Sequence, residues 1–184
     1  MNSPTDTQLM QSVREGELQN LAPLFERHHV MLYNHYVRLT RDRELAEDLV
    51  QEVFYRILKY RHTYRGDGQF RTWLYHIARN VRIDAARRRA QETSFDEEVH
   101  SCPDDPPQRD SAEFRQNVSI LEAALAQLPE EKREIILMSR YQNLKYAAIA
   151  ELLGCSVEAV KVRVHRAVQD LRRVFLQLSG EPQP

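Results

Sequence analysis

The stretch KYAAIAELLGCSVEAVKVRVHRAVQDLRR, residues 145–173, decides the fold of the C-terminal part of the chain. Apolar residues recur at helical spacing before and after Gly154, and Ser156 is a typical N-cap for a long helix that ends near residue 177. One face of that helix is an apolar stripe, which would pack against the helix before the glycine: Val157, Val160, Val164, Val168 and Leu171. Two helices joined by a short glycine turn predict a helix-turn-helix.

The face opposite this apolar stripe is polar and rich in cations. Between residues 161 and 173, five basic side chains accompany one acidic side chain. A helix that reads the major groove needs polar groups near its N-terminus and flanking cations for phosphates. An ordinary amphipathic helix with a solvated basic face shows a similar pattern, so both interpretations stay open here. The candidate DNA-contacting residues are Glu158, Lys161, Val162, Arg163, His165 and Arg166.

A second unusual helix is predicted over residues 70–89, where six arginines accompany a single acidic residue, Asp84. Aromatic side chains lie between those arginines, an arrangement that suits unstacked bases and backbone phosphates. A loop with two glycines, residues 63–69, precedes the helix, and an aromatic pocket there would receive an extruded base. The equally simple alternative is that Trp73 and Tyr75 are core residues and that the arginines are solvated. The candidate residues are Tyr64, Arg65, Trp73, Tyr75, His76, Arg79, Asn80 and Arg87.

The helix predicted over residues 44–60 has an exposed face of a different character. It combines carboxylates with an amide, a tyrosine and a leucine: Glu44, Asp48, Gln51, Tyr55 and Leu58. This mixture is more typical of a protein-binding face than of a DNA-binding face. A simple solvated acidic face is the alternative.

The distribution of proline and charge divides the chain. No proline occurs between Leu24 and Cys102. Residues 91–111 then combine prolines with acidic and polar residues and lack helical periodicity, which indicates a flexible acidic linker. We therefore predict an all-α fold with two small helical domains, the C-terminal one a helix-turn-helix. The predicted divisions are a domain at 1–90, the linker at 91–111, a domain at 112–178 and a tail at 179–184.

The composition excludes several classes of protein. The 184 residues carry 26 basic and 27 acidic side chains, a formal net charge of −1, but the acidic linker hides two mildly basic ends. Two cysteines cannot form a disulfide framework or a four-cysteine zinc site. No apolar run approaches the length of a membrane span, and the polar N-terminus lacks the apolar segment of a signal peptide. We therefore expect a cytoplasmic protein without a cofactor or a metal.

The alternative to a DNA-binding protein is an enzyme with a di-metal carboxylate site. The spacing of Glu26 and His29 fits one Glu-x-x-His motif, but such bundles need the motif on two helices. The other instance, Glu97 with His100, lies in the proline-rich linker. We therefore predict no catalytic residues.

Together, these segments resemble the extracytoplasmic-function (ECF) sigma factors of the sigma-70 family over about residues 8–177. The run AEDLVQEVF, residues 46–54, is similar to region 2.2, which docks on the clamp helices of the polymerase β′ subunit. Residues 70–89 resemble regions 2.3 and 2.4, which melt and read the −10 element. Residues 128–167 are similar to region 4, whose helix-turn-helix reads the −35 element.

The resemblance implies an alternative sigma factor, which selects promoters for RNA polymerase and is not a catalyst. The loop at 63–69 matches the loop that captures a flipped −10 base, and the aromatic residues after it match the melting helix. Two departures lie in the −35 helix, where Lys161 stands in place of a frequent arginine and Val162 in place of a small polar residue. Both departures affect which −35 sequence the helix would prefer, but not its mode of binding. The docking positions are Asp48, Gln51, Glu52 and, on the same face, Tyr55.

The same resemblance implies the partners. These are core RNA polymerase (its β′ clamp and β subunit), promoter DNA and an anti-sigma factor, often membrane-bound, that holds the protein inactive at the inner membrane face. The alternative is a helix-turn-helix regulator that binds duplex DNA without docking on polymerase. Residues 44–89 discriminate between the two, because a simple regulator has no use for an aromatic, arginine-rich helix behind a glycine loop.

Overall fold

A computed structural model of the 184-residue chain describes residues 3–92 and 112–180. These residues form helices and contain no strand, which confirms the predicted all-α fold class. The N-terminal helices are α1 (Asp6–Glu15), α2 (Leu21–Thr40), α3 (Arg43–Tyr60) and α4 (Phe70–Glu92). The C-terminal helices are α5 (Ala112–Gln127), α6 (Glu130–Ile136), α7 (Tyr146–Leu153) and α8 (Val157–Ser179).

Contacts divide the described residues into two compact units. The first contains residues 3–36 and 43–92, and the second contains residues 37–42 and 112–180. Helix α4 continues two residues into the predicted linker. The rest of that linker, and the last four residues of the predicted tail, lie outside the described residues. The predicted domain boundaries therefore stay predictions.

Helices α2, α3 and α4 build the core of the first unit because each presents an apolar stripe at helical spacing. The stripes meet in buried side chains: Leu24, Leu32, Tyr36, Leu49, Val53, Ile57, Phe70, Leu74 and Val81. The hydroxyl of Tyr36 donates to the carbonyl oxygen of Ala78 at 2.8 Å, and burial raises the pKa of this hydroxyl. Phe25, which the same spacing places in the core, is 36% exposed and stacks on His29 with ring centroids 4.6 Å apart.

Helix α1 is fixed to the first unit by polar contacts at both ends. The carboxylate of Asp6 lies 2.8 Å from the Arg27 guanidinium and 2.8 Å from Nε2 of His28. Burial by itself would raise the pKa of Asp6, but the hydrogen bonds from these two side chains outweigh it and lower the pKa. Near the other end, Arg14 donates to the carbonyl oxygen of Tyr64 at 3.1 Å. Helix α1 therefore holds the loop that precedes α4.

We expect the Asp6 contacts to stabilise the chain at neutral pH and to be lost in acid. Since the pKa of Asp6 is lower in the folded state than in the unfolded state, its contribution is present above a pH of about 4. The contribution disappears as the pH falls through the folded-state pKa. Asp6→Asn should therefore lower the free energy of unfolding by up to about 1 kcal/mol at pH 7, because the pair is partly exposed, and by less at about pH 3.

Urea unfolding followed by circular dichroism at both pH values measures this difference. Asp67→Asn, in the exposed part of the loop before α4, is the matched control and should have no such pH dependence. An Asp6→Asn effect of equal size at both pH values would contradict the expectation.

The core of the second unit lies between α5, α6, α7 and α8. Its buried side chains include Leu125, Ile136, Leu137, Ile149 and Val164. After α6 the backbone widens into a π-helical turn, Leu137–Tyr141. Asp170 of α8 lies 2.5 Å from Nζ of Lys132 and 2.7 Å from the Arg173 guanidinium. The hydrogen bond from Lys132 lowers the pKa of Asp170, and this pair joins α6 to α8.

A buried arginine closes the C-terminal end of α5. Arg133 of α6 is 8% exposed, and its guanidinium donates to the carbonyl oxygens of Leu125, Ala126 and Leu128 at 3.1, 2.9 and 2.9 Å. The last carbonyls of a helix have no partner within the helix, and a cation suits the negative end of the helix dipole. Burial lowers the pKa of Arg133, but an arginine stays charged at neutral pH. The contact therefore stabilises α5 and α6 as a pair.

Candidate polymerase- and DNA-binding surfaces

The turn between α7 and α8 has the geometry of a helix-turn-helix. Gly154 has a φ of +60°, in the left-handed region that favours glycine, and it ends α7. The amide of Cys155 donates to the carbonyl oxygen of Ala150 at 3.0 Å. As predicted, Ser156 caps α8: its hydroxyl accepts a hydrogen bond from the amide of Ala159 at 3.1 Å. These contacts fix the direction in which α8 leaves the turn.

The first three turns of α8 present an accessible side opposite the core. Val160 and Val164 are buried, whereas all six residues predicted to read the −35 element are exposed. We call those six residues, Glu158, Lys161, Val162, Arg163, His165 and Arg166, the −35 surface. Val162 is 49% exposed, an apolar side chain among polar ones. Lys161 lies 3.8 Å from Glu158, and an exposed pair of this kind contributes little to stability.

Six of the eight residues predicted to contact −10 DNA reach the surface of the first unit. We call this set the −10 surface: Arg65, Trp73, His76, Arg79, Asn80 and Arg87. The other two, Tyr64 and Tyr75, are only 3% and 2% exposed. An enclosed ring offers no face on which a base can stack, so in this structure neither tyrosine belongs to the −10 surface, and direct contact of the two with DNA stays a prediction.

Neighbouring rings explain why both tyrosines are buried. The Tyr64 ring packs edge-to-face on Trp73 with centroids 5.1 Å apart, which anchors the loop before α4. The Tyr75 ring packs on His35 of α2 at 5.5 Å, and burial raises the pKa of its hydroxyl. The alternative interpretation of Tyr75 as a core residue is therefore confirmed, while Trp73 is half-buried.

An open groove of about 540 Å³ lies between α3 and the last turns of α4. The four residues predicted to dock on polymerase all line it, and Tyr55 is 58% exposed. We call it the docking groove. Its full lining is Leu45, Asp48, Leu49, Gln51, Glu52, Tyr55, Ala85, Arg88 and Arg89.

A bridge of charges sets the spacing of α3 and α4 beside the docking groove. The Arg56 guanidinium lies 2.7 Å from Glu52 of its own helix and 2.7 Å from Asp84 of α4. Burial by itself would lower the pKa of Arg56, but the hydrogen bonds to Asp84 and Glu52 outweigh it and raise the pKa. Glu52 is therefore engaged within the unit, and Asp48 is the more exposed carboxylate of the groove.

Two arginines of the groove, Arg88 and Arg89, were not among the candidate residues predicted from sequence. A signal was present, because positions seven apart on a helix lie on nearly the same face. Arg88 follows Leu74 and Val81 at this spacing, and both of those side chains are buried. The core-facing stripe of α4 therefore leaves the core and enters the groove.

Residues 3–92 and 112–180 contain no cluster of three or more His, Cys, Asp or Glu side chains that could hold a metal ion. The Glu97 and His100 pair considered for a metal lies outside those ranges. In the same part of the chain, no helix combines the length and the apolar character that crossing a membrane requires.

Two segments of the chain match models of known protein regions. Residues 24–92 match sigma-70 region 2, and residues 119–171 match sigma-70 region 4. The first segment contains α3 and α4 with the docking groove and the −10 surface. The second segment contains the part of α8 that carries the −35 surface.

Several known proteins match nearly the whole length of the chain. The ECF RNA polymerase sigma factor SigL of Mycobacterium tuberculosis is 34% identical over 167 residues, covering 89% of this chain and 93% of SigL. The RNA polymerase sigma-H factor of Pseudomonas aeruginosa is 29% identical over 188 residues, covering 96% of each chain. The sigma factor RpoE from Bartonella quintana, solved in complex with the anti-sigma factor NepR, is 24% identical with a TM-score of 0.70, covering 89% of this chain and 97% of RpoE. This last likeness concerns the fold.

Proposed function

The chain belongs to the ECF group of the sigma-70 family, and we propose that it binds core RNA polymerase through the docking groove and directs the enzyme to promoters. It is an alternative sigma factor. The observation that supports the assignment of roles is that each candidate surface lies within the matching region. The docking groove and the −10 surface lie in the region 2 segment, and the −35 surface lies in the region 4 segment.

Each surface has the chemistry for its proposed partner. On the −35 surface, Arg163 and Arg166 can bind guanine edges or phosphates, and Lys161 supplies a point charge for phosphates. On the −10 surface, the half-buried ring of Trp73 offers a stacking face and Arg87 a phosphate contact. Tyr64 supports this surface from below by packing on Trp73. Residues 1–90 would thus dock and melt DNA, and residues 112–178 would read the −35 element.

Regulation and location follow from the family. Sigma factors are transcription initiation factors, and we assign this chain no catalytic site. An anti-sigma factor would hold the chain inactive, and the NepR complex of RpoE supports a partner of this kind. The chain would act in the cytoplasm and be sequestered at the inner membrane face when its anti-sigma factor is membrane-bound.

The test of this proposal is a pull-down of purified bacterial core RNA polymerase by the full chain, followed by run-off transcription on genomic promoter fragments. Core binding with transcripts from a restricted set of fragments would support the proposal and reveal the promoter motif. Duplex DNA binding without core binding would favour a helix-turn-helix regulator that acts without polymerase docking.

The exposed residues of the docking groove give a first mutational test. Asp48→Ala with Gln51→Ala removes one charge and one amide from the accessible part of α3, so we expect core affinity to fall by about five- to tenfold while the fold is retained. Fluorescence anisotropy of the labelled chain titrated with core polymerase measures this affinity.

Glu47→Ala is the matched control for that double variant. It removes one exposed carboxylate from the same helix, but Glu47 does not line the docking groove. We expect its core affinity to stay within twofold of the unmodified chain's. Similar affinities for both variants would count against the assignment of the groove to polymerase docking.

A further inference from the structure

Three consecutive arginines near the end of α4, residues 87–89, lie on two different surfaces. Arg87 follows Asn80 by seven residues, and both are exposed on the −10 surface. Arg88 and Arg89 instead line the docking groove from the α4 side. Asp48 and Glu52 line the same groove from the α3 side. The groove therefore has a basic wall and an acidic wall, with apolar side chains in its lining.

We propose that Arg88 and Arg89 bind the acidic edge of an amphipathic helix of core RNA polymerase that lies in the docking groove. The inference rests on the proposed function and deepens it by stating the chemistry of the docked segment. An apolar stripe of that helix would cover Leu45 and the ring of Tyr55. Its basic edge would face Asp48, and its acidic edge would face the two arginines.

Charge complementarity favours a protein helix over nucleic acid as the occupant. A DNA strand in this groove would bring its phosphates beside Asp48 and Glu52, and each such approach is repulsive. Arginine is the side chain best suited to bind a carboxylate in two parallel hydrogen bonds. Arginine and tyrosine are also enriched where protein interfaces hold most of their binding energy.

The groove is also held in shape before anything binds. Arg56 joins Glu52 of α3 to Asp84 of α4 with two contacts of 2.7 Å, one turn before Arg88. This bridge fixes the separation of the two walls, so docking does not have to order them. The proposed contact thus depends on a rigid pair of helices rather than on a loop.

The experiment compares neighbouring charge reversals in the full chain. We expect Arg88→Glu with Arg89→Glu to lower the affinity for purified bacterial core polymerase by at least about tenfold, because like charges would then face each other. Arg88→Lys with Arg89→Lys should keep most of that affinity. Arg87→Glu should keep core affinity within about twofold while reducing run-off transcription, since its charge lies on the −10 surface. Thermal unfolding by circular dichroism confirms that each variant folds.

The outcomes separate this inference from the proposed function. If the double Glu variant binds core within about threefold of the unmodified chain and yet loses transcription, the two arginines contact DNA, and the inference is overturned. If Arg87→Glu lowers core affinity as strongly as the double variant does, the assignment of Arg87 to one surface and of Arg88 and Arg89 to the other is wrong. If the unmodified chain itself does not bind core polymerase, the proposed function is wrong. The proposed contact of Arg88 and Arg89 with core polymerase is then wrong as well.

Discussion

Replacing Arg133 with methionine is expected to lower the free energy of unfolding of the second unit by about 3 kcal/mol or more. Methionine keeps a long apolar stem but removes the donors that reach the carbonyl oxygens of Leu125, Ala126 and Leu128. The carbonyl oxygen of Leu125 keeps the amide of Leu128 as a donor, but each buried acceptor left without a donor costs about 1–3 kcal/mol. The favourable interaction of the guanidinium with the C-terminal end of the α5 dipole is lost as well.

Two spectroscopic signals locate the effect of this variant. The chain has one tryptophan, Trp73, and it lies in the first unit, so tryptophan fluorescence follows that unit. Circular dichroism follows the helices of both units. For Arg133→Met we expect the circular dichroism midpoint in urea to fall, and the fluorescence midpoint to move less.

Arg140→Met is the matched control, because Arg140 is an exposed arginine in the π-helical turn that follows α6. Arg140→Met should lower the free energy of unfolding by no more than about 0.5 kcal/mol. If Arg133→Met unfolds at the same urea concentration as this control, the buried guanidinium does not stabilise the unit as its geometry indicates.

Arg166→Ala is expected to weaken binding of the holoenzyme to its cognate −35 element by about 5- to 150-fold, equivalent to about 1–3 kcal/mol. Arg166 is exposed on the accessible side of α8, and an arginine there can donate two hydrogen bonds to a guanine edge. Since its side chain takes no part in the core, the substitution should leave folding intact. The measurement is a competition assay with promoters that carry the cognate or a scrambled −35 element.

Arg172→Ala removes the same charge from an exposed position near the end of α8, outside the −35 surface. We expect this control to weaken binding by less than about threefold on both promoters. If Arg166→Ala weakens binding to both promoters by the same factor, Arg166 contacts a phosphate rather than a base. Unchanged binding on both would remove Arg166 from the interface.

Helical spacing predicted most of the fold because each helix needs one apolar face, whatever lies against it. In α4, for example, helical spacing places Leu74 and Val81 on the same apolar face, and both are buried. Glycine and serine chemistry likewise predicted the turn at Gly154 and the cap at Ser156. These features depend on residues that are close in sequence, so a single chain reveals them.

Contacts between distant residues were beyond this reasoning. Tyr75 lies beside the α4 stripe, and its burial depends on residues of other helices, such as His35 of α2, whose ring packs on it. Arg133 stands in a charged segment, and its burial is explained by carbonyl oxygens that lie elsewhere in the sequence, at the end of α5 and at Leu39. Arg88 lies on the core stripe, but where the core ends depends on how far α3 extends beside α4.

Helix α8 divides two tasks between its faces. One face carries the −35 surface, while the opposite face is anchored by the buried Val160 and Val164 and, further along the helix, by Asp170, which binds Lys132 of α6. Substitutions on the −35 surface therefore cost little stability, because those side chains contribute almost nothing to the core. Under the proposed function, promoter preference would change through such substitutions during evolution while the buried face keeps the helix in place. Descendants of one gene would in this way acquire separate sets of promoters without first acquiring a more stable fold.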